Sequence, residues 1–511
     1  MAVATFLKNA LLILVSVVLC TAAAEGMARW LDAEPSAALK HLDEIPLAEG
    51  VQRRWFEENP PPLPNRRSVS PEAVELVRKV EASGVTEGTR RADMFKAWNS
   101  AFVGPDPCAH PYLKDAPGQI YVYDPVDGEP RPPYRFLPDT TTPIGLVTNE
   151  YGFRGGPIPV GRQPRTIRIA FIGASTTVAA HHFLYSYPEH VGYWLNRWAA
   201  AKKLDVRFEV LNAGRESITS SDIATIMKSE VAPLAPDLVI YYEGANQFDL
   251  KTVVPDAPPR SSGLPIMARP EPGFFGGVLK HLGYSSALAR RLENFLAQYS
   301  LRPPANPTDN AQTDATAKAI AEGREWPKPD YTLVWPQGLD EKDPDIARSD
   351  LPVNLPTILA DLGRIEAATE KLGAELAIAS YKWMVWDGMV VDPVRQRMMA
   401  EYLNYGYAPF RYRDLERLAS FQNRVLEKFA KTHKIDFLDV AQLMPSDTEL
   451  FADAIHGTPE GERMRAWIVL QLLIPVIDRH LADGTWPKKS FPQAAAPAPY
   501  TPRVVTFDCR R

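Results

Sequence analysis

From Thr166 to Leu481 the chain repeats one rhythm: a short apolar run, then a stretch whose apolar residues recur every three or four positions. The runs at 167–172, 206–211, 237–242, 374–380 and 435–440 predict strands. The segments 187–201, 221–232, 356–372 and 413–432, and one beginning near Pro459, predict helices. Val191, Trp194, Leu195 and Trp198 share one face of the first helix, and Met464, Trp467, Ile468, Leu472 and Val476 one face of the last. Strands that are mostly apolar are buried on both faces, and their alternation with helices calls for right-handed crossovers. The pattern therefore predicts an α/β fold, a flavodoxin-like three-layer α/β/α arrangement around a central parallel sheet. In such a sheet the site lies beyond the carboxyl ends of the strands.

Outside this rhythm the chain reads differently. Residues Ala10–Ala24 are apolar and follow a segment whose only positive side chain is Lys8. A full span needs about 20 apolar residues, which extension to Phe6 and Met27 supplies if Lys8 snorkels. Residues 1–29 are thus a signal anchor, or a signal peptide cleaved near Thr21-Ala22-Ala23-Ala24, and either reading puts the body outside the cytoplasm. Leu19, being bulky, argues against a lipoprotein at Cys20. The anchor reading places the protein at the inner membrane, single-pass, with its main domain periplasmic. A Pro-rich extension covers 30–160, with a helix expected at Pro71–Ser83 behind Ser70. The α/β domain spans 161–483, and a Pro-rich tail 484–511. Within the domain, 250–345 forms a Pro-rich insertion with an apolar-basic stretch at Phe274–Leu296. It reads first as a partly disordered loop and second as a lid or substrate groove.

Composition narrows the function classes. A net charge of −5 with no basic aromatic stripe argues against nucleic acid. Cys108 and Cys509 either pair, as an oxidising compartment would allow, or remain two free thiols. The three-glycine dinucleotide spacing is missing, so no nucleotide cofactor is expected. His181-His182 suggests a metal, yet adjacent helical residues diverge by about 100° and no carboxylate sits at ligand spacing. No metal or other cofactor is expected. Trp194, Trp198, Trp383 and Trp386 suit core or rim better than a sugar platform.

Four short motifs carry chemistry, and each follows a predicted strand. Gly173-Ala174-Ser175-Thr176 delivers a hydroxyl at the end of 167–172; alone it is an ordinary helix-capping turn. Asn212-Ala213-Gly214 offers a backbone N–H without an obstructing Cβ, and Gly244-Ala245-Asn246 a neutral amide; alone each is a turn. Asp453-Ala454-Ile455-His456 spaces a carboxylate so that it can orient an imidazole. Together they supply nucleophile (Ser175), base (His456), orienting carboxylate (Asp453) and an oxyanion hole from Ser175, Gly214 and Asn246, which is what acyl transfer through serine requires. Asn149-x-x-Gly-Phe-Arg154 reads as a turn leading into the sheet.

This combination resembles the SGNH (GDSL-like) hydrolase superfamily over about Thr166–Leu481, the insertion excepted. In that family a serine, a glycine, an asparagine and a DxxH form the site, matching Ser175, Gly214, Asn246, and Asp453 with His456. Ala174 and Gln247 stand where many members carry aspartate. The apolar N-terminus with Glu25-Gly26-Met27-Ala28-Arg29 and Thr148–Gly155 looks like the membrane-anchored bacterial branch. That resemblance implies an esterase, deacetylase or O-acyltransferase acting on an envelope glycan or other acylated molecule. A catalytically inactive glycan-binding or assembly module, and a lipase or thioesterase, are the rivals.

Overall fold

The computed structural model describes residues 2–32, 36–63, 147–179, 185–216, 218–256, 310–393 and 395–488, with short pieces at 67–68, 118–125, 135–136, 138–141, 286–289, 291–292, 490, 494–498 and 500–507. The helix expected at Pro71–Ser83, both Cys108 and Cys509, and His181-His182 lie outside the described residues.

Five strands form the central sheet: β1 (Thr166–Gly173), β2 (Arg207–Asn212), β3 (Leu238–Tyr242), β4 (Glu375–Ala379) and β5 (Asp436–Leu438). They pair in parallel in the order β2-β1-β3-β4-β5. This is the doubly wound order, whose direction reverses beside β1. Every residue of β1 and β3 is buried, as expected of strands covered on both faces.

Right-handed crossovers at that reversal send successive helices to opposite faces. Helix α1 is the apolar N-terminal Ala2–Asp32, and α2 is the single turn Ser175–Val178 at the end of β1. Helix α3 (Tyr187–Ala201) joins β1 to β2 and packs against α8 (Pro459–Ala482), the last long helix. On the other face α4 (Ser220–Ile226) packs against α6 (Leu355–Lys371), between which α5 (Asn310–Ala321) precedes in the chain; α7 (Tyr412–His433) follows β4. Two helices start at sequence-encoded caps: Ser186 with Glu189 makes a capping box for α3, and Thr219 with Asp222 one for α4. The predicted 221–232 helix is α-helical only to Ile226. It widens into a π-turn at Met227–Val231, and Pro233 has no N–H with which to continue the ladder.

The chain divides into two units. One comprises Met1–Lys40, Pro258–Asp330 and Val385–Leu415; the other, His41–Ala257, Tyr331–Met384 and Glu416–Arg511, contains the sheet. In the first, Ala319, Ile320 and Trp326 form a small core, and Glu25 near the end of α1 accepts hydrogen bonds from Ser286 Oγ and the N–H groups of Ala287 and Leu288. Within α1, Lys8–Arg29 is long and apolar enough to cross a membrane, with mean hydropathy 2.1.

In the second unit the segment after Lys40 lies on α3 and α8. Trp194 Nε1 donates to Trp55 O at 2.9 Å, Trp198 Nε1 to Glu49 O at 2.9 Å, and Phe56 meets Trp467 edge-on. Trp194, Trp198 and Trp383 are buried, so they serve as core. Residues 331–345 run along α7, where Trp335 packs on Phe421 under the Arg417 guanidinium and Lys428 pairs with Asp343.

Candidate active site

Strand β1 ends at Gly173, where any side chain would collide: a Cβ there would lie 2.3 Å from Tyr242 O and 2.1 Å from Thr177 Oγ1. The glycine lets the backbone turn tightly against β3, and Ser175 opens α2 directly at the sheet's carboxyl edge. The loop after β5 brings the other half. It closes on itself through a bridge between Phe451 and Gly457, is tied to the β4 loop by Met384 N–H donating to Ala454 O, and leads into α8 through the cap on Thr458.

Ser175, His456 and Asp453 converge. His456 Nε2 lies 2.8 Å from Ser175 Oγ, and His456 Nδ1 lies 2.8 Å from Asp453 Oδ2. Asp453 Oδ1 accepts the backbone N–H groups of Ile455 and His456, both at 2.9 Å, so the carboxylate is fixed by its own loop. Ser175 and Asp453 are buried. Burial pushes the Asp453 carboxyl up. The His456 charge, its ring hydrogen bond and the two N–H donors outweigh that and hold it at about 2. For His456, burial pushes downward, but Asp453, and more remotely Glu216 and Glu462, raise the imidazole above its ordinary range. The carboxylate stays ionised, and its charge favours a proton on the ring.

The other two expected residues sit differently. Gly214 does not offer its N–H to the serine: it donates to Asn212 Oδ1 at 3.0 Å in a buried turn. A glycine is needed there for space, since a Cβ would stand 2.5 Å from Val178 N. Asn246 is exposed at the rim. Its Nδ2 donates to Ile218 O at 2.7 Å, which uses one of two amide hydrogens and orients the other. Glu243, buried at the end of β3, accepts the N–H groups of Ala245 and Asn246 at 2.8 Å and so shapes this loop. Burial raises the Glu243 carboxyl.

The strand order is flavodoxin-like, with Ser175 after β1 and the Asp/His loop before α8 at the same rim, the arrangement that the resemblance led one to expect. Within it, the departure at Gln247 has a structural use: its Oε1 accepts Ser220 N–H at 2.7 Å, capping α4. Ala174 at the other departure is fully buried against the turn.

No family model matches the chain, and no curated protein does. Among solved structures, the acetylxylan esterase Axe2 of Geobacillus stearothermophilus is similar at 14% identity, covering 60% of this chain and 94% of its own, with a TM-score of 0.31. A lipase/acylhydrolase of Enterococcus faecalis (13%, 61% and 96%, TM-score 0.29) and a GDSL-like lipase of Bacteroides thetaiotaomicron (12%, 61% and 88%, TM-score 0.26) are also similar.

Sequence reasoning missed three sets of residues near Ser175 and His456. Arg465, buried on α8, pairs with Glu462, lies over the rings of Tyr187 and Tyr242, and donates to Thr176 O. Glu216 and Glu243 act on His456 electrostatically from two separate strand ends. Arg154 reaches the Ser175 turn itself. Its motif was the available signal: Asn149 Oδ1 accepts Tyr151 and Phe153 N–H at 3.0 Å, the expected turn, and the same turn aims Arg154 inward. His190, by contrast, is core: stacked on Trp194, with burial lowering it to about 3.

Proposed function

We propose that the chain is a serine esterase working through Ser175, His456 and Asp453. The observation that carries this reading is the unbroken pair of 2.8 Å contacts running from the buried Asp453 carboxylate through His456 to Ser175 Oγ. Ser175 Oγ attacks the ester carbonyl as His456 Nε2 takes its proton, and Asp453 steadies the imidazolium. The tetrahedral oxyanion is held by Ser175 N–H and the second Nδ2 hydrogen of Asn246, because Gly214 N–H is engaged by Asn212. His456 then returns the proton to the leaving alcohol. Water, activated by the same imidazole, releases the acyl group and restores Ser175. A sugar hydroxyl in place of water makes the enzyme an O-acyltransferase from the same acyl-enzyme.

The apolar α1 supports a place at a membrane, with the catalytic unit on the periplasmic side and an acylated envelope glycan as substrate. A fluorophosphonate probe tests the chemistry: it should label the full chain at Ser175 and leave Ser175→Ala untouched. Folded wild type that takes no label would instead be a binding module. Faster turnover of p-nitrophenyl octanoate than of the acetate would replace the small-acyl reading with a lipase or thioesterase.

A further inference from the structure

The nucleophile stands on a turn too short to hold itself. Helix α2 has four residues, ends at Ala179 in the left-handed region (φ 46°), and leaves its last carbonyls without helical partners. The fold supplies those partners one by one. Ser175 O is served by the turn's own Ala179 N–H at 2.8 Å; beyond it, Thr176 O accepts Arg465 Nη1 at 3.5 Å and Thr177 O accepts Asn212 Nδ2 at 2.9 Å. Val178 O and Ala179 O both accept Arg154 Nη1, at 3.2 and 2.7 Å. Arg154 is buried, and its Nε donates to Glu189 Oε2 at 2.9 Å. That carboxylate also accepts Ser186 N–H and Oγ–H at the start of α3. The backbone of Arg154 in turn bridges to Asn212 and to Thr148.

We infer that Arg154 is a positioning residue for the Ser175 nucleophile, an inference that rests on the esterase reading above. It fixes the end of the nucleophile turn to α3, and so fixes the direction in which Ser175 Oγ meets His456. A planar guanidinium suits this because one side chain must serve two carbonyls along one edge and a carboxylate along another. Displacing a reacting group by about 1 Å can cost about 100-fold in rate without weakening substrate binding.

The test uses the full chain with Arg154→Lys and Arg154→Ala, read by steady-state hydrolysis of p-nitrophenyl acetate, the rate of fluorophosphonate labelling and amide hydrogen exchange over 173–180. Arg154→Ala should lose about 100-fold in kcat with KM within about twofold, and label correspondingly slowly. Exchange should accelerate at 174–179 and not across the sheet. Arg154→Lys keeps the charge beside Glu189 and should fold, while losing about 10-fold in kcat because an ammonium does not span both contacts. Added guanidinium should restore part of the Arg154→Ala rate and none of that of Ser175→Ala. An unchanged kcat in either folded variant, or exchange that is unaltered or rises everywhere alike, overturns the inference. Should wild type itself neither hydrolyse nor label, the esterase reading falls, and local exchange at 174–179 still decides whether Arg154 holds the turn.

Discussion

The two rims of the sheet bury similar charges and put them to opposite uses. At the amino rim Arg168 sits inside β1, fully buried, and each of its side-chain nitrogens has an acceptor. Nε and Nη2 bond Glu209, Nη1 bonds Leu234 O at 2.5 Å, and Nη2 also bonds Pro159 O at 2.7 Å. Asp237 beside it takes the Arg168 backbone N–H and the Arg162 guanidinium. At the carboxyl rim the buried carboxylate is Asp453 and its cation is a histidine, which gives up its charge at accessible pH. An ion pair whose cation never titrates is a lock; one whose cation titrates can move a proton. The difference lies in the partner, since both carboxylates are buried.

Removing a group from each rim should therefore do different things. The largest effect expected is on rate: Ser175→Ala should lower ester hydrolysis by about 10⁴- to 10⁶-fold, with a thermal midpoint near wild type. Glu209→Ala should do the reverse. It strands the buried Arg168 charge and should cost about 3–5 kcal/mol of stability by denaturant titration, leaving kcat of the folded fraction intact. Comparable losses of rate and stability in both variants would abolish the distinction between the rims. Asn246→Ala belongs with the carboxyl rim and should reduce kcat by about 10²- to 10³-fold, with KM little changed. A fall confined to KM would remove Asn246 from the oxyanion.

What the sequence made legible follows from the same contrast. Buried parallel strands announce themselves as apolar runs, and the Asp453/His456 spacing is local, so the fold type and the meeting of Ser175, His456 and Asp453 could be read directly. The use of Gly214 could not: where its N–H points depends on the Asn212 side chain, and the glycine answers to the bulk of Val178 instead. Arg154 was visible as the end of a turn, but the carbonyls it grips lie more than twenty residues away in the chain. The partner of Arg168 is hidden in the same way, since nothing in the run 167–172 says that Glu209 on the neighbouring strand receives its charge. Lone residues whose partners come from distant segments are invisible to periodicity.

The smallest effect is a displacement along the pH axis, and it separates the rims most cleanly. General-base catalysis needs neutral His456, and its pKa is raised, so activity should climb with pH through a limb above the ordinary value of 6.5. Asp453, held at about 2, contributes no second limb near neutrality. Asp453→Asn removes the largest influence raising the ring and leaves its burial, so the limb of the residual activity should move toward acid. Stability obeys the converse sign. A raised histidine stabilises the fold fully below 6.5, and that contribution is lost as pH rises through the folded-state value. The depressed Asp453 contributes above its ordinary 3.8 and loses this as pH falls toward 2. Wild type should thus lose stability relative to His456→Ala on going from mildly acid to alkaline pH, while its activity rises over the same interval. Glu209→Ala should leave the limb where it was, because Glu209 lies at the opposite rim from His456. A limb that moves with the amino-rim variant, or stays put in Asp453→Asn, would mean that the histidine is not tuned by the carboxylate it touches.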